Sequence, residues 1–194
     1  MRYPSAHKEK TREKILATAS RLFREKGYNG VGVDALMAEA GLTAGGFYSH
    51  FPSKEALFSE AIAHTLQARI SELKPDRPDQ PSATGLQSVI KAYLSRTHRD
   101  MAADGCPLPS LTPDVIRGSE SVRTDYERMM LKVLETIESR MPGDIAEKRP
   151  RALAVLAQLV GGLMLARAVN DDGLSDQILK ACRQAAIGIC DQEG

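Results

Sequence analysis

Residues 41–58, GLTAGGFYSHFPSKEALF, decide the fold. Gly41 supplies a corner, Thr43 an N-cap oxygen, and Phe47 and Phe51 stand four apart, as neighbours on one face of a helix predicted over 44–51. Pro52 ends that helix, and Ser53 caps the next, which begins at Lys54. Gly45 and Gly46 sit in the first turn, where each costs about 1 kcal/mol relative to alanine. A helix held by the packing of Phe47 and Phe51 tolerates that cost. In return, a turn without Cβ atoms lets another molecule come close; the competing reading is that the doublet only relaxes a tight turn.

Upstream, Ile15, Leu16, Ala19, Leu22 and Phe23 form one apolar stripe of a first helix, which Gly27 stops. A short second helix in VGVDALMAEAGLT (residues 31–43) turns Val33, Leu36, Met37 and Ala40 inward and ends at Gly41. Two short helices with a glycine corner, the second opening on Thr and small residues, make a helix-turn-helix pattern. Downstream the periodicity stays helical over 53–71, 83–101, 111–117, 119–140, 150–170 and 175–191, with no competing strand pattern, so the fold class is all-α. KPDRPDQPSATG (residues 74–85) is rich in proline and polar residues and reads as a mobile loop.

The chain has 194 residues, 42% of them apolar, enough for a real core. Cys106, Cys182 and Cys190 are odd in number and lack the CxxC or Cys/His pairs of a zinc site, so no metal, cofactor or disulfide framework is expected. No apolar run of 18 uncharged residues and no signal-peptide core occur, which predicts a soluble, cytoplasmic protein with no membrane partner. The net charge of +1 is unevenly spread: residues 1–26 hold eight Lys/Arg against three acids, or +5, leaving −4 for the other 168 residues. A basic head on a mildly acidic body suits a polyanion-binding end joined to a module with another task, though charged helices also serve simply as solvated faces.

With its flanks included, ILATASRLFREKGYNGVGVDALMAEAGLTAGGFYSHFPSKEALF (residues 15–58) resembles the DNA-binding domain of the TetR family of bacterial transcriptional regulators. The resemblance implies a helix-turn-helix domain over 1–55, a helical ligand-binding and dimerisation domain over 56–194, and a homodimer on double-stranded palindromic operator DNA that leaves on binding a small-molecule inducer. It places Thr43, Ala44, Gly45, Gly46, Tyr48, His50 and Lys54 at the DNA. Ala44, Gly45 and Gly46 would meet base edges, and Thr43, Tyr48, His50 and the helix N-terminus at Lys54 would meet phosphates. The chain departs from the family pattern at Gly32, Ala44, Gly46 and Ser49, so base preference does not carry over.

The C-terminal half is less specific. Leu153, Leu156, Leu159, Val160, Leu163 and Met164 cover too much circumference for a helix packed on one side, and Gly161 and Gly162 would let a neighbour come close. Ala181, Cys182, Ala185, Ala186 and Ile189 offer a second small-residue face, so two helices per chain would form a four-helix bundle in a dimer; both also read as core helices of a monomer. Tyr93, Met101, Tyr126, Met129, Met130 and Arg167 are candidate pocket residues, since Met and Tyr line adaptable apolar cavities, and each also reads as plain core.

Cys106 precedes Pro107 at a helix start, where the helix dipole would favour its thiolate, so it is either a sensor of oxidants or electrophiles or a quiet packed thiol. An enzyme would need a nucleophile, a base and an orienting group. Cys106 and His98 are the only candidates and no third group is recognisable, so no catalytic residues are assigned. The sequence reads as a ligand-responsive DNA-binding regulator, most simply a repressor.

Overall fold

All five apolar-stripe residues of α1 (Ser5–Lys26), from Ile15 to Phe23, are buried, and they seed an all-α structure. The computed structural model describes residues 5–72 and 83–191. Residues 74–82 of the loop expected to be mobile lie outside that range. After α1 come α2 (Val33–Glu39), a 3-10 segment (Ala44–Ser49), α3 (Lys54–Glu72), α4 (Ala83–Tyr93) and α5 (Arg96–Asp100). α6 (Pro107–Ile116), α7 (Glu120–Glu138), α8 (Ile145–Ala168) and α9 (Asp172–Asp191) complete the chain, and the described residues hold no strand.

Gly27 and Gly41, both at positive φ (72° and 64°), terminate α1 and α2 as left-handed C-caps. The Ser53 hydroxyl accepts the Ala56 N–H at 3.0 Å and starts α3. Thr43 does not cap as expected: its side chain makes no cap hydrogen bond, and the segment after it is a 3-10 turn ending at Ser49, not an α-helix reaching Phe51. Two glycines in six residues leave too little propensity for a full α-helix. Packing holds the segment instead. Phe47 and Phe51 are fully buried, stacked at 6.0 Å, and each contributes about 1.5–3 kcal/mol, more than the glycines cost.

Other boundaries also differ from expectation. The helix predicted over 83–101 is two, because the Ser95 hydroxyl accepts the His98 N–H and restarts the chain as α5. α6 begins at Pro107 and not at 111, with proline at N1, where its missing N–H is no loss. α8 begins at Ile145, ahead of Pro150, with Asp144 as its N-cap.

α1, α2 and the 3-10 segment pack as a basic head, and α3 runs from it into the body, against α1 at one end and α7 along its length. In the body α8 packs most extensively on α9, α4 lies on α9, and α6 touches α1, α3, α7 and α8. α6 is thus the second bridge between head and body.

Candidate functional site

At the tip of the head the 3-10 segment turns Phe47 inward and Tyr48 outward, 71% exposed. Thr43 and Gly45 are exposed, and Ala44, Gly46 and His50 half-buried. A Cβ placed on Gly45 would meet nothing within 4 Å, and one on Gly46 only the Met37 methyl at 3.8 Å. Neither glycine has positive φ. The fold therefore demands glycine at neither position, and the bare turn presents an open face.

His50 sits at the basic edge of that face. Its Nδ1 is buried without a hydrogen-bond partner, and burial, then Lys8 and Arg12, hold its pKa below the usual histidine value. The Arg12 guanidinium lies 4.5 Å from the Phe51 ring centroid and pairs with Glu60. Lys54 is partly turned inward: its Nζ donates to the Tyr28 carbonyl at 2.6 Å and stands 4.1 Å from the Tyr28 ring centroid.

Asp114 on α6 ties head to body. Its carboxylate accepts the Tyr28 N–H at 3.1 Å and pairs with Arg117 at 3.0 Å. Arg24 donates to Thr65 at 2.8 Å and to the Ala103 carbonyl, anchoring α1 to α3 and to the segment that leads into α6.

α6 opens on the body's pocket, a cavity of about 270 Å³ between α3, α4, α7 and α8. Its walls are mainly Leu, Ile and Val, with Arg69, Tyr93, His98, Cys106, Thr136 and Arg140 as polar or reactive groups. His98 is clamped: Nδ1 donates to the Tyr93 carbonyl at 2.8 Å, and Nε2 accepts the Cys106 N–H at 3.0 Å. That pattern fixes a neutral ring, and burial keeps its pKa low. The Cys106 thiol is buried beside the Tyr93 hydroxyl. Burial pushes its pKa up, outweighing the neighbouring Tyr93, the Leu108 N–H, Arg69 and Arg167. Among the described residues no group of three or more His, Cys, Asp or Glu is arranged to hold a metal ion.

Comparison with known proteins settles the lineage. Residues 15–61 match the model for bacterial regulatory proteins of the tetR family. The chain is 31% identical over 168 residues to the uncharacterized HTH-type transcriptional regulator YxaF of Bacillus subtilis, spanning 83% of this chain and 87% of that protein. The chain belongs to the TetR family. It is also 28% identical over 162 residues to the HTH-type transcriptional regulator LmrA of B. subtilis, covering 80% of this chain and 85% of the relative. The crystal structure of the reduced form of Escherichia coli NemR superposes with a TM-score of 0.77 at 21% identity, over 95% of this chain and 99% of NemR. TetR-family proteins are helix-turn-helix transcriptional regulators, typically dimeric and ligand-binding, with an N-terminal DNA-binding domain and a helical C-terminal domain.

In this TetR-family chain the predicted pocket set divides. Tyr93 and Cys106 line the cavity, and Met101, Tyr126, Met130 and Arg167 do not, nor does Met129. Met101 is 49% exposed just past α5, because the break at Ser95 turns the chain away. Tyr126 bonds Thr112 at 2.6 Å, and Met129 and Met130 pack on the core from α7. Arg167 clamps the carbonyls of His98 at 2.7 Å and Arg99 at 3.0 Å, so it stitches α8 to α5. The expected low thiol pKa at Cys106 is reversed, since loss of solvent outweighs the helix N-terminus. The neighbour that comes close at Gly162 is α9 of its own chain: an added Cβ would lie 2.7 Å from the Cys182 Cβ.

Sequence reasoning missed Arg69, Thr136 and Arg140 as pocket residues. Nothing in their local sequence marks them, because each reads as an ordinary polar residue in or beside a helix.

Proposed function

We propose that this protein is a homodimeric repressor which holds a palindromic operator through the 3-10 segment of each subunit and releases it when its pocket is filled or Cys106 is modified. The observation that carries the reading is the bare turn over Gly45 and Gly46 beside exposed Tyr48, a surface the fold does not itself need. Residues 1–55 serve as the DNA-binding head and 56–194 as the sensing body, with α3 common to both. Ala44, Gly45 and Gly46 face bases. Thr43, Tyr48, His50 and the backbone N–H groups opening α3 at Lys54 face phosphates.

The dimer forms through the outer faces of α8 and α9, where Leu153, Ala157, Gly161 and Leu165 on one helix and Ala181, Ala185 and Gly188 on the other are half-buried or exposed in the single chain. Coupling runs through α6, whose first turn holds Cys106 and Leu108 in the pocket wall and whose last holds Asp114 on Tyr28. An inducer shifts the heads to the extent that it binds one arrangement of α6 better than the other. NemR, 29% identical over 125 residues and covering 61% of this chain and 60% of that protein, is described as a repressor. Regulation, not catalysis, fits the pocket chemistry: both His98 nitrogens are engaged by backbone groups, so the ring is not placed to act as a base for Cys106. The reading puts the protein in the cytoplasm with the operator and gives it no membrane partner.

A gel-shift on the DNA upstream of the protein's own gene tests this. We expect an inverted repeat to be bound by a dimer, with affinity falling steeply between 50 and 200 mM salt, as about 0.9 counterions are released per phosphate contact. N-ethylmaleimide, a small uncharged electrophile, should join Cys106 Sγ to a ring carbon, pass the thiol proton to the adjacent carbon, and release the DNA. Salt-independent binding or a monomer on DNA would sink the operator reading. Release of Cys106→Ser protein as readily as wild type would remove the thiol arm alone.

A further inference from the structure

Arg140, just past α7, is the one charged group in the pocket wall whose side chain makes no ion pair or hydrogen bond among the described residues. It is 9% exposed, and its Nε is fully buried without a partner. Arg69, the other cationic wall residue, already donates to the Asp104 carbonyl. A guanidinium nitrogen buried without an acceptor carries an uncompensated desolvation cost, and burial alone holds the Arg140 pKa below the usual arginine value. The same wall holds the buried Tyr93 hydroxyl, whose polar neighbour is the Cys106 thiol, a weak hydrogen-bonding group.

Both line the cavity, Arg140 toward the Leu86 end of α4, where Arg151 joins the Pro142 and Cys190 carbonyls at 3.0 Å each and Gln87 donates to Asp191 at 2.8 Å, and Tyr93 at the other end of that helix. α8 begins at Ile145, shortly after Arg140, and runs to Arg167, which binds the carbonyl of His98 beside Tyr93. Between them the wall follows α4 from Leu86 to Tyr93, about 10 Å at 1.5 Å per residue, and is apolar throughout its middle.

We propose that the pocket takes an elongated apolar molecule carrying one carboxylate, with the acid group forked on Arg140 and the far end against Tyr93. Guanidinium and carboxylate match bidentately, so the ligand supplies the acceptor that the protein lacks. Its apolar body displaces water from Leu, Ile and Val side chains. The inference deepens the repressor reading by naming the chemical class of the inducer and rests on that reading for its biological use.

Titration calorimetry on the full chain, without DNA, compares decanoate with decan-1-ol, which share a tail and differ in charge. Wild type should bind decanoate about tenfold or more tighter, the usual margin for a hydrogen bond to a charged group. Arg140→Met should abolish that preference by weakening decanoate about tenfold while leaving decanol unchanged, and Arg140→Lys should keep part of it. Equal binding of the two probes by wild type overturns the proposal without any variant, and so does an Arg140→Met protein that keeps the preference. Because no DNA is present, failure to find an operator leaves the result standing. Operator binding without a decanoate preference sinks only the site.

Discussion

Two glycine doublets, one in the head and one in the body, look alike in the sequence and differ in what surrounds them. Gly45 and Gly46 border open space, and an added Cβ would touch at most the Met37 methyl at 3.8 Å. In the body Gly161 is likewise open, but its neighbour Gly162 is filled: a Cβ there would lie 2.7 Å from Cys182 Cβ, 2.8 Å from its Sγ and 3.2 Å from a Leu94 methyl. One doublet leaves room for a partner from outside the chain, and half of the other has already been used by α9. A missing side chain announces a close approach without saying whose.

The largest effect expected from this contrast is at the filled position. Gly162→Leu should cost about 3 kcal/mol, seen as a lower urea midpoint, because the added side chain would run into the Cys182 Cβ, which is fixed to the α9 backbone, and the fully buried Leu94. Gly162→Ala should cost less, about 1 kcal/mol, with the same sign. If Gly162→Leu instead leaves the midpoint unchanged and only turns dimer into monomer by light scattering, α9 does not occupy that space, and Gly162 belongs to a subunit interface.

The head offers the opposite result. Tyr48→Ala should lower operator affinity by about tenfold at fixed salt and leave the urea midpoint within about 0.5 kcal/mol, since Tyr48 is exposed and touches mainly the edge of Phe47. Ala44→Lys should instead change which operator sequence is preferred. A Tyr48→Ala protein that binds normally would leave the bare turn without its neighbouring phosphate contact and weaken the case for this surface.

The same contrast explains how much could be read from the sequence. The head was legible because its information is local: Gly41, Phe47, Phe51 and Ser53 fall within thirteen residues, and their packing partners on α1 are one stripe. The fold class was legible because every later segment carried helical periodicity. The pocket was not, because its wall draws Arg69 from α3, Tyr93 from α4, Cys106 from the start of α6, and Thr136 and Arg140 from α7 and its end. Arg140 in sequence is a cation near a helix C-terminus, which dipole chemistry explains fully. Only the absence of an acceptor around it, a three-dimensional fact, sets it apart. Cys106 was noticed for its helix N-terminus, yet burial reversed the expected sign of its pKa shift. Gly162 reads as a close-approach site in the sequence, but only the structure says that the approaching helix is α9 of the same chain.

A smaller prediction concerns the open glycine alone. Gly45→Ala should raise stability by about 0.5–1 kcal/mol, because φ there is negative, space is open, and alanine restricts the unfolded chain. Operator affinity should fall at the same time if a base edge uses the space. A gain in stability with affinity unchanged would return the doublet to a relaxed turn.

The smallest effect separates head from body by pH. His98 and His50 both have pKa values below the ordinary histidine value of about 6.5, each chiefly through burial. For a base with a depressed folded pKa the unfolded chain binds more protons. Its contribution to stability is therefore complete above about pH 6.5 and is lost as pH falls from there to the folded pKa. At His98 protonation breaks the acceptor bond from the Cys106 N–H, so the urea midpoint of wild type should drop below pH 6.5, and His98→Gln should flatten that drop. At His50 the bound state reverses the sign. The ring is half-buried at the face of the head, and a phosphate brought beside it would favour its charged form. Operator affinity should then rise as pH falls from 7.5 to 6, by less than tenfold, since one partly exposed charge pair is worth about 1 kcal/mol or less. His50→Gln should remove the rise while His98→Gln keeps it. If His50→Gln protein shows the same pH profile on DNA as wild type, His50 does not touch a phosphate, and its orphaned nitrogen is a feature of the head's own packing.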